Sequence, residues 1–319
     1  MTNHRPIVAA STGLLASAGF GSPDLDDSET MVRDLEVLRR RGFEAVDLSD
    51  LWFDIASLTP HRIEGIRSSV DTAGLTVAGA SIIDLPVDGS LDPALVRSRA
   101  HAGLGNAIAL GATVVSIGLH RGPIRGAPIA DQRPPWLSVE APPPHPDAEF
   151  ETATTLLRDL CATAEREGVV LALEMNEMSL LSTARGCLRL LEAVGSGALG
   201  VNPDLGSLVR VPWPLDETWM ESMALVAPHT NYWHVKNCHR IATETGRHLS
   251  TPSPLAQGII DYRRAITVAR EAGFAGALVI EHYGGDVLWY AADGLRYLTE
   301  ILDESVLHSG ADQEVTRGR

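Results

Sequence analysis

The run Glu165-Arg166-Glu167-Gly168-Val169-Val170-Leu171-Ala172-Leu173-Glu174 decides the fold. Its first residues close an amphipathic helical pattern over 147–167. A glycine, which tolerates the left-handed conformation that stops a helix, follows. An uninterrupted apolar strand comes next and ends in a carboxylate. Arg41-Gly42, Ala73-Gly74, Leu110-Gly111 and Ala272-Gly273 repeat the helix-to-glycine step just before other strands.

Working outward, apolar runs predict strands at 7–12, 45–48, 76–82, 113–118, 169–174, 199–204, 232–236 and 277–281. Helical patterns lie between and after them at 28–41, 60–73, 93–110, 147–167, 183–194, 216–227, 262–272 and 287–302. Apolar strands alternating with helices make a parallel sheet covered by helices. Eight such units predict an α/β fold, a single-domain (β/α)8 TIM barrel over residues 1–303. A doubly wound open sheet is the rival, but no G-x-G-x-x-G run follows the first strand. The apolar segment 7–20 is broken by Ser11, Thr12, Gly13 and Ser17, and reads as the first strand rather than a signal peptide. Two long loops are expected: proline-rich 120–146 after strand four, which cannot be helix or central strand, and 238–259 after strand seven. A polar, frayed tail is expected over 304–319.

The 319 residues carry 26 Lys and Arg against 41 Asp and Glu, a formal charge of -15. That balance argues against nucleic acid or an anionic membrane surface as partner, and no run is long and apolar enough to span a bilayer. Three scattered cysteines, Cys161, Cys187 and Cys238, provide neither a disulfide framework nor a thiolate metal site, as expected of a cytoplasmic protein. Lys236 is the only lysine.

Barrel enzymes carry their sites at the C-terminal strand ends. Here those ends hold Asp47, His120, Glu174 with Asn176 and Glu177, Asn202 with Asp204, His234 with Lys236, and Glu281. Glu174, Asp204, His234 and Glu281 make three carboxylates and one imidazole converging on one mouth. Such carboxylates repel one another unless a divalent cation lies between them. Hard oxygens with one histidine suit Mn²⁺, the first expectation, or Mg²⁺, Co²⁺ or Zn²⁺.

At this point a family resemblance enters. Gly42–Leu48, Leu173–Glu177, Gly200–Gly206, Trp233–Asn237, Ile260–Arg263 and Ile280–Gly285, in that order and spacing, resemble the sugar isomerase/epimerase superfamily of xylose-isomerase-like TIM barrels. The resemblance implies that Glu174, Asp204, His234 and Glu281 bind one divalent metal, and that the two glutamates or groups near them move protons on a metal-held sugar. Ser207 stands where the family often has a substrate-touching histidine, so that contact is in question. The implied chemistry is proton abstraction beside the carbonyl of a sugar or keto-sugar, through an enediolate. Return of the proton gives an isomerase or epimerase, and loss of a β leaving group gives a lyase. The segments Trp233–Asn237 and Glu281–Gly285 also resemble the large subunits of C-glycoside deglycosidases, which cleave 3-keto-glycosides by elimination beside a small β-rich partner subunit. A homo-oligomer is the other assembly expected.

Several residues remain open between site and scaffold. His145 in the proline-rich loop is a general base or an exposed loop histidine, and His120 is the second candidate. Lys236 shares a strand face with His234, and is a substrate contact or the partner of Glu281 or Glu174. His120, Asp47, Asn202, Ser207 and Trp233 are candidate substrate contacts. Asp47 and Glu177 read equally as supporting or loop residues. Trp52, Trp136, Trp233 and Trp289 offer aromatic faces to a sugar or serve as packing. The same barrel also serves apurinic endonucleases, but those need more histidines and a basic groove. A non-catalytic sugar-binding barrel is disfavoured because all four ligand positions are filled.

Overall fold

In the computed structural model, which describes residues 5–119, 145–177 and 179–317 with side chains to 304, each turn from helix to strand follows from local chemistry. Helix α5 (Asp147–Glu167) starts with Asp147 and Glu149 at its positive end and stops at Gly168, whose φ of 69° is left-handed. Strand β5 (Val170–Glu174) follows at once. Side-chain caps open most other helices. Asp27, Thr59, Asp92, Thr183 and Asp261 each accept a backbone N–H at the start of α2 (Ser28–Arg39), α3 (Pro60–Thr72), α4 (Pro93–Ala109), α6 (Ala184–Val194) and α9 (Tyr262–Glu271). Thr218 and Glu221 form a reciprocal capping box on α8 (Trp219–Val226).

The remaining barrel strands are β1 (Val8–Ser11), β2 (Ala45–Ser49), β3 (Thr76–Ile82), β4 (Val114–Ile117), β6 (Leu199–Asn202), β7 (Trp233–Val235) and β10 (Leu278–Ile280). They form one parallel sheet in the order β6-β5-β4-β3-β2-β1-β10-β7. The β1–β10 pairing rolls the sheet round. The seam between β6 and β7 is closed by a single parallel bridge, Val201 to Thr230, and by amides: Asn231 N–H donates to the Val201 carbonyl, and His234 N–H donates to Asn202 Oδ1 at 2.7 Å. This is the (β/α)8 barrel expected from the alternation of strands and helices.

The inside of the barrel is packed mostly with small residues: Ala9, Ala45, Ala172 and Ala277, with Val279 and one large ring, Tyr232. The large apolar side chains fill the layer between sheet and helices. Strand alternation therefore sends Trp233 outward, where it is fully buried against Tyr262 and Phe274.

Three features differ from the sequence expectation. Residues 237–253 are not an irregular loop but an antiparallel hairpin, β8 (Asn237–Ala242) with β9 (His248–Ser253). Its residues alternate without an apolar run because both faces are largely exposed. Two short helices, α1 (Gly13–Ser17) and α7 (Leu205–Val209), follow β1 and β6 directly. The last helix, α10, runs Val287–Arg317, so the backbone stays helical through most of the polar segment expected to fray. His120, Trp136 and nearly all of the 120–146 segment lie outside the described residues.

Candidate active site

Glu174 ends β5, His234 lies in the middle of β7 and Glu281 follows β10, so three strand ends deliver one ligand atom each to a common point. Those atoms all lie within 4.8 Å of one another. His234 Nδ1 is 3.4 Å from Glu174 Oε1 and 3.4 Å from Glu281 Oε1. It is fully buried yet forms no hydrogen bond of normal geometry. A buried imidazole nitrogen between two carboxylates is the donor set of a divalent cation once the ring gives up its Nδ1 proton, and the three residues fit one. Burial opposes a charge on His234, but Glu281 and Glu174 outweigh it and push the imidazole up to about 10.

Asp204, expected as the fourth ligand, is paired with Lys236. Its Oδ2 lies 2.6 Å from Lys236 Nζ and accepts a 2.6 Å bond from Ser207 Oγ. The same ammonium lies 2.6 Å from Glu281 Oε2. Burial opposes the Lys236 charge, but Asp204 and Glu281 hold its pKa above the usual lysine range. Burial raises the Asp204 carboxyl, with Lys236 opposing. Burial would raise Glu281 too, but Lys236 and His234 hold it below the usual range. Gly206 makes room here: a Cβ on it would meet the Lys236 carbonyl oxygen at 2.4 Å.

Residues 35–302 match the sequence profile of the family described as the xylose isomerase-like TIM barrel. The chain belongs to this family. A xylose isomerase-like TIM barrel protein from Mycobacterium smegmatis, solved in complex with magnesium, is 31% identical over 95% of this chain and 98% of that one, with a TM-score of 0.82. An L-ribulose 3-epimerase (20% identity, 96% and 97% coverage, TM-score 0.63) and the 3-keto-D-glucoside 4-epimerase of E. coli (14%, 93% and 100%, 0.66) share the fold. No protein of curated function matches the chain in sequence.

Within this family fold, the other candidate residues separate by what they touch. Asp47 lies inside the barrel, hydrogen-bonded by Ser81 and Tyr232; burial pushes it up to about 6 against His234 and those donors. Asn202 spends both ends of its amide on the barrel wall, donating to Ser116 Oγ and accepting from His234 N–H. Asp204 caps α7 by accepting the Ser207 N–H, and the Ser207 hydroxyl donates to its other carboxylate oxygen. Trp233 points away from the mouth, so its expected substrate contact gives way to packing. Trp52 is buried beside Phe53, while Trp289 is half exposed. Glu177 is paired with buried Arg210 at 2.8 Å, and Arg210 also lies over the Tyr283 ring. His145 Nδ1 lies 2.9 Å from Glu149 Oε1. His145 and Glu177 both line a cavity of about 550 Å³ with Trp213 and Trp219.

Sequence reading missed Ser81, Tyr232, Arg210 and His282. The first two share the inward face of their strands with Gly79 and His234, a signal that alternation carries. Arg210 and His282 lie on mouth segments, where no periodicity marks them. Burial and Lys236 push His282 down to about 4, and its ring stacks on Tyr290.

Proposed function

We propose that this protein is a divalent-metal-dependent enzyme that removes a proton beside the carbonyl of a sugar or keto-sugar, in the manner of an isomerase or epimerase. The observation that carries this reading is the convergence of Glu174, His234 and Glu281 at the strand ends, with His234 Nδ1 buried between the two carboxylates. Those three residues would hold the cation, with Asp204 as a fourth residue and third carboxylate at the edge of the set. When bound, such an ion polarises a chelated carbonyl and acidifies the neighbouring C–H. Mn²⁺ is proposed first, with Mg²⁺, Co²⁺ or Zn²⁺ as alternatives; the magnesium in the M. smegmatis relative supports a hard divalent ion.

The chain's own groups do the rest. Lys236 holds Glu281 ionised and fixed through Oε2. Glu174, on the other side of His234, is the carboxylate placed to accept the substrate proton, and Glu281 the group that returns it. Both lie in a largely buried pocket, where the charge developed beside the carbonyl is stabilised without competing water. The names of the epimerases that share the fold support a sugar substrate.

A lyase reading, a catalytic subunit cleaving 3-keto C-glycosides by β-elimination, is favoured by one observation. The 550 Å³ cavity lined by His145 and Glu177 has room for a leaving group. In that reading His145, aligned by Glu149, is the base, and the protein assembles with a small β-rich subunit; in the first reading it assembles with its own copies. Its compartment is proposed as the cytoplasm: Cys161, Cys187 and Cys238 are buried thiols, and no helix among the described residues is long and apolar enough to cross a membrane.

The test is incubation of metal-loaded protein in D₂O with keto-sugars and with a 3-keto C-glycoside. Deuterium in recovered sugar without release of the aglycone supports the epimerase or isomerase. Released aglycone supports the lyase. Protein that is fully active after metal stripping overturns both.

A further inference from the structure

His234 has two ring nitrogens, and only Nδ1 faces the carboxylates. The other, Nε2, lies 3.2 Å from Ser81 Oγ on β3. Ser81 Oγ is also 2.9 and 3.0 Å from the two oxygens of Asp47 on β2. Asp47 Oδ1 accepts a further bond of 2.7 Å from the Tyr232 hydroxyl. All four side chains are fully enclosed inside the barrel.

Counting donors sets the direction of each bond. Asp47, ionised, has no hydrogen to give, so it accepts from both hydroxyls that face it. Ser81 has one hydroxyl hydrogen, and Asp47 takes it. Toward His234, Ser81 therefore presents a lone pair. Nε2 must carry the ring hydrogen, and in the neutral ring Nδ1 is the bare nitrogen.

The backbone is shaped to keep this chain intact. Gly79 pairs with Asp47 across β2 and β3, and a Cβ at Gly79 would lie 2.6 Å from the Tyr232 hydroxyl oxygen. Only a residue without a side chain lets the phenol cross β3 and reach Asp47.

We propose that Asp47 and Ser81 are positioning residues that hold His234 as its Nε2–H tautomer, keeping the Nδ1 lone pair aimed at the divalent cation. The proposal rests on the metal-site reading above. A histidine ligand is usually locked by a hydrogen bond from its far nitrogen, and loss of such a partner weakens metal binding by about ten- to a hundredfold. Here the lock is relayed through a serine to a carboxylate buried in the barrel, two strands away from the metal position.

The test uses calorimetric Mn²⁺ titration of metal-stripped wild type, Ser81→Ala, Ser81→Thr, Asp47→Asn and Tyr232→Phe, with ¹⁵N-histidine NMR of the Zn²⁺-loaded proteins. Wild type is expected to bind Mn²⁺ and to show a His234 ring protonated at Nε2. Ser81→Ala and Asp47→Asn should weaken binding by about ten- to a hundredfold. Ser81→Thr, which keeps the hydroxyl, should recover most of it. Tyr232→Phe, which leaves the relay itself intact, should change affinity less than Asp47→Asn. In Asp47→Asn the amide can donate to Ser81 and reverse the relay, so the His234 hydrogen should shift toward Nδ1. Wild type that binds no divalent ion overturns the metal-site reading itself. Wild type that binds, with Ser81→Ala and Asp47→Asn within twofold of it, overturns this inference alone. A loaded wild-type ring protonated at Nδ1 overturns it as well, whether or not the variants fold.

Discussion

Lys236 and Asp204 form a buried ion pair of 2.6 Å, and the same ammonium reaches Glu281. Without the lysine, two carboxylates would face each other in a water-poor pocket. Lys236→Met should therefore destabilise the metal-free protein by about 3–5 kcal/mol. Urea unfolding measures that loss, and added Mn²⁺ should recover part of it by supplying the missing charge. Lys236→Arg should fare little better, because a broad planar guanidinium cannot take the place of a compact ammonium held 2.6 Å from both Asp204 and Glu281 in a buried site. Full stability and activity of the arginine variant would show that the position needs only a positive charge.

Asn202 is expected to act on the barrel rather than on substrate. Asn202→Ala leaves the His234 N–H without an acceptor and Ser116 without its donor. Each such loss costs about 1–3 kcal/mol. A substrate contact would instead raise KM and leave the urea midpoint in place.

Breaking the Glu177–Arg210 pair should be expensive. Arg210 is buried, with Glu177 on one side and the Tyr283 ring near the other. Glu177→Gln should lower stability by about 3–5 kcal/mol. An unchanged urea midpoint would return Glu177 to the role of an exposed loop residue.

The buried thiols set a limit at alkaline pH. Burial pushes Cys187 up to about 12 and Cys238 up to about 11, against about 8.5 in an unfolded chain. Above pH 8.5 the unfolded chain releases these protons while the folded protein keeps them. Stability is therefore whole below pH 8.5 and falls as pH rises toward 11, by about 1.4 kcal/mol per thiol for each pH unit. Urea midpoints measured from pH 8 to 10.5 in wild type and Cys187→Ala should diverge in slope, the wild type being the steeper.

The barrel was legible in the sequence because its signals are local. The helix-ending glycines and apolar strands place β3 and α5 at their observed bounds, and the other strands within two residues. The β8–β9 ribbon was not legible, since an exposed hairpin needs no apolar face. At the mouth, Glu174, His234 and Glu281 come together as their strand ends implied. Asp204 lies beside them paired with Lys236, a partner 32 positions away that no local pattern marks. Trp233, open in the sequence between sugar contact and packing, takes the packing role, because alternation puts it opposite His234. The Ser81–Asp47 relay was out of reach because it joins three strands whose neighbours are set only once the sheet has rolled up.

The single lysine has one more consequence. Its amine is the only one any side chain offers, and the fold keeps it 7% exposed and paired to two carboxylates. Reagents that acylate amines therefore find no side-chain handle on the native protein. They gain one when Lys236 comes loose, so acylation at this position reports the opening of the mouth, and no background from other lysines obscures it.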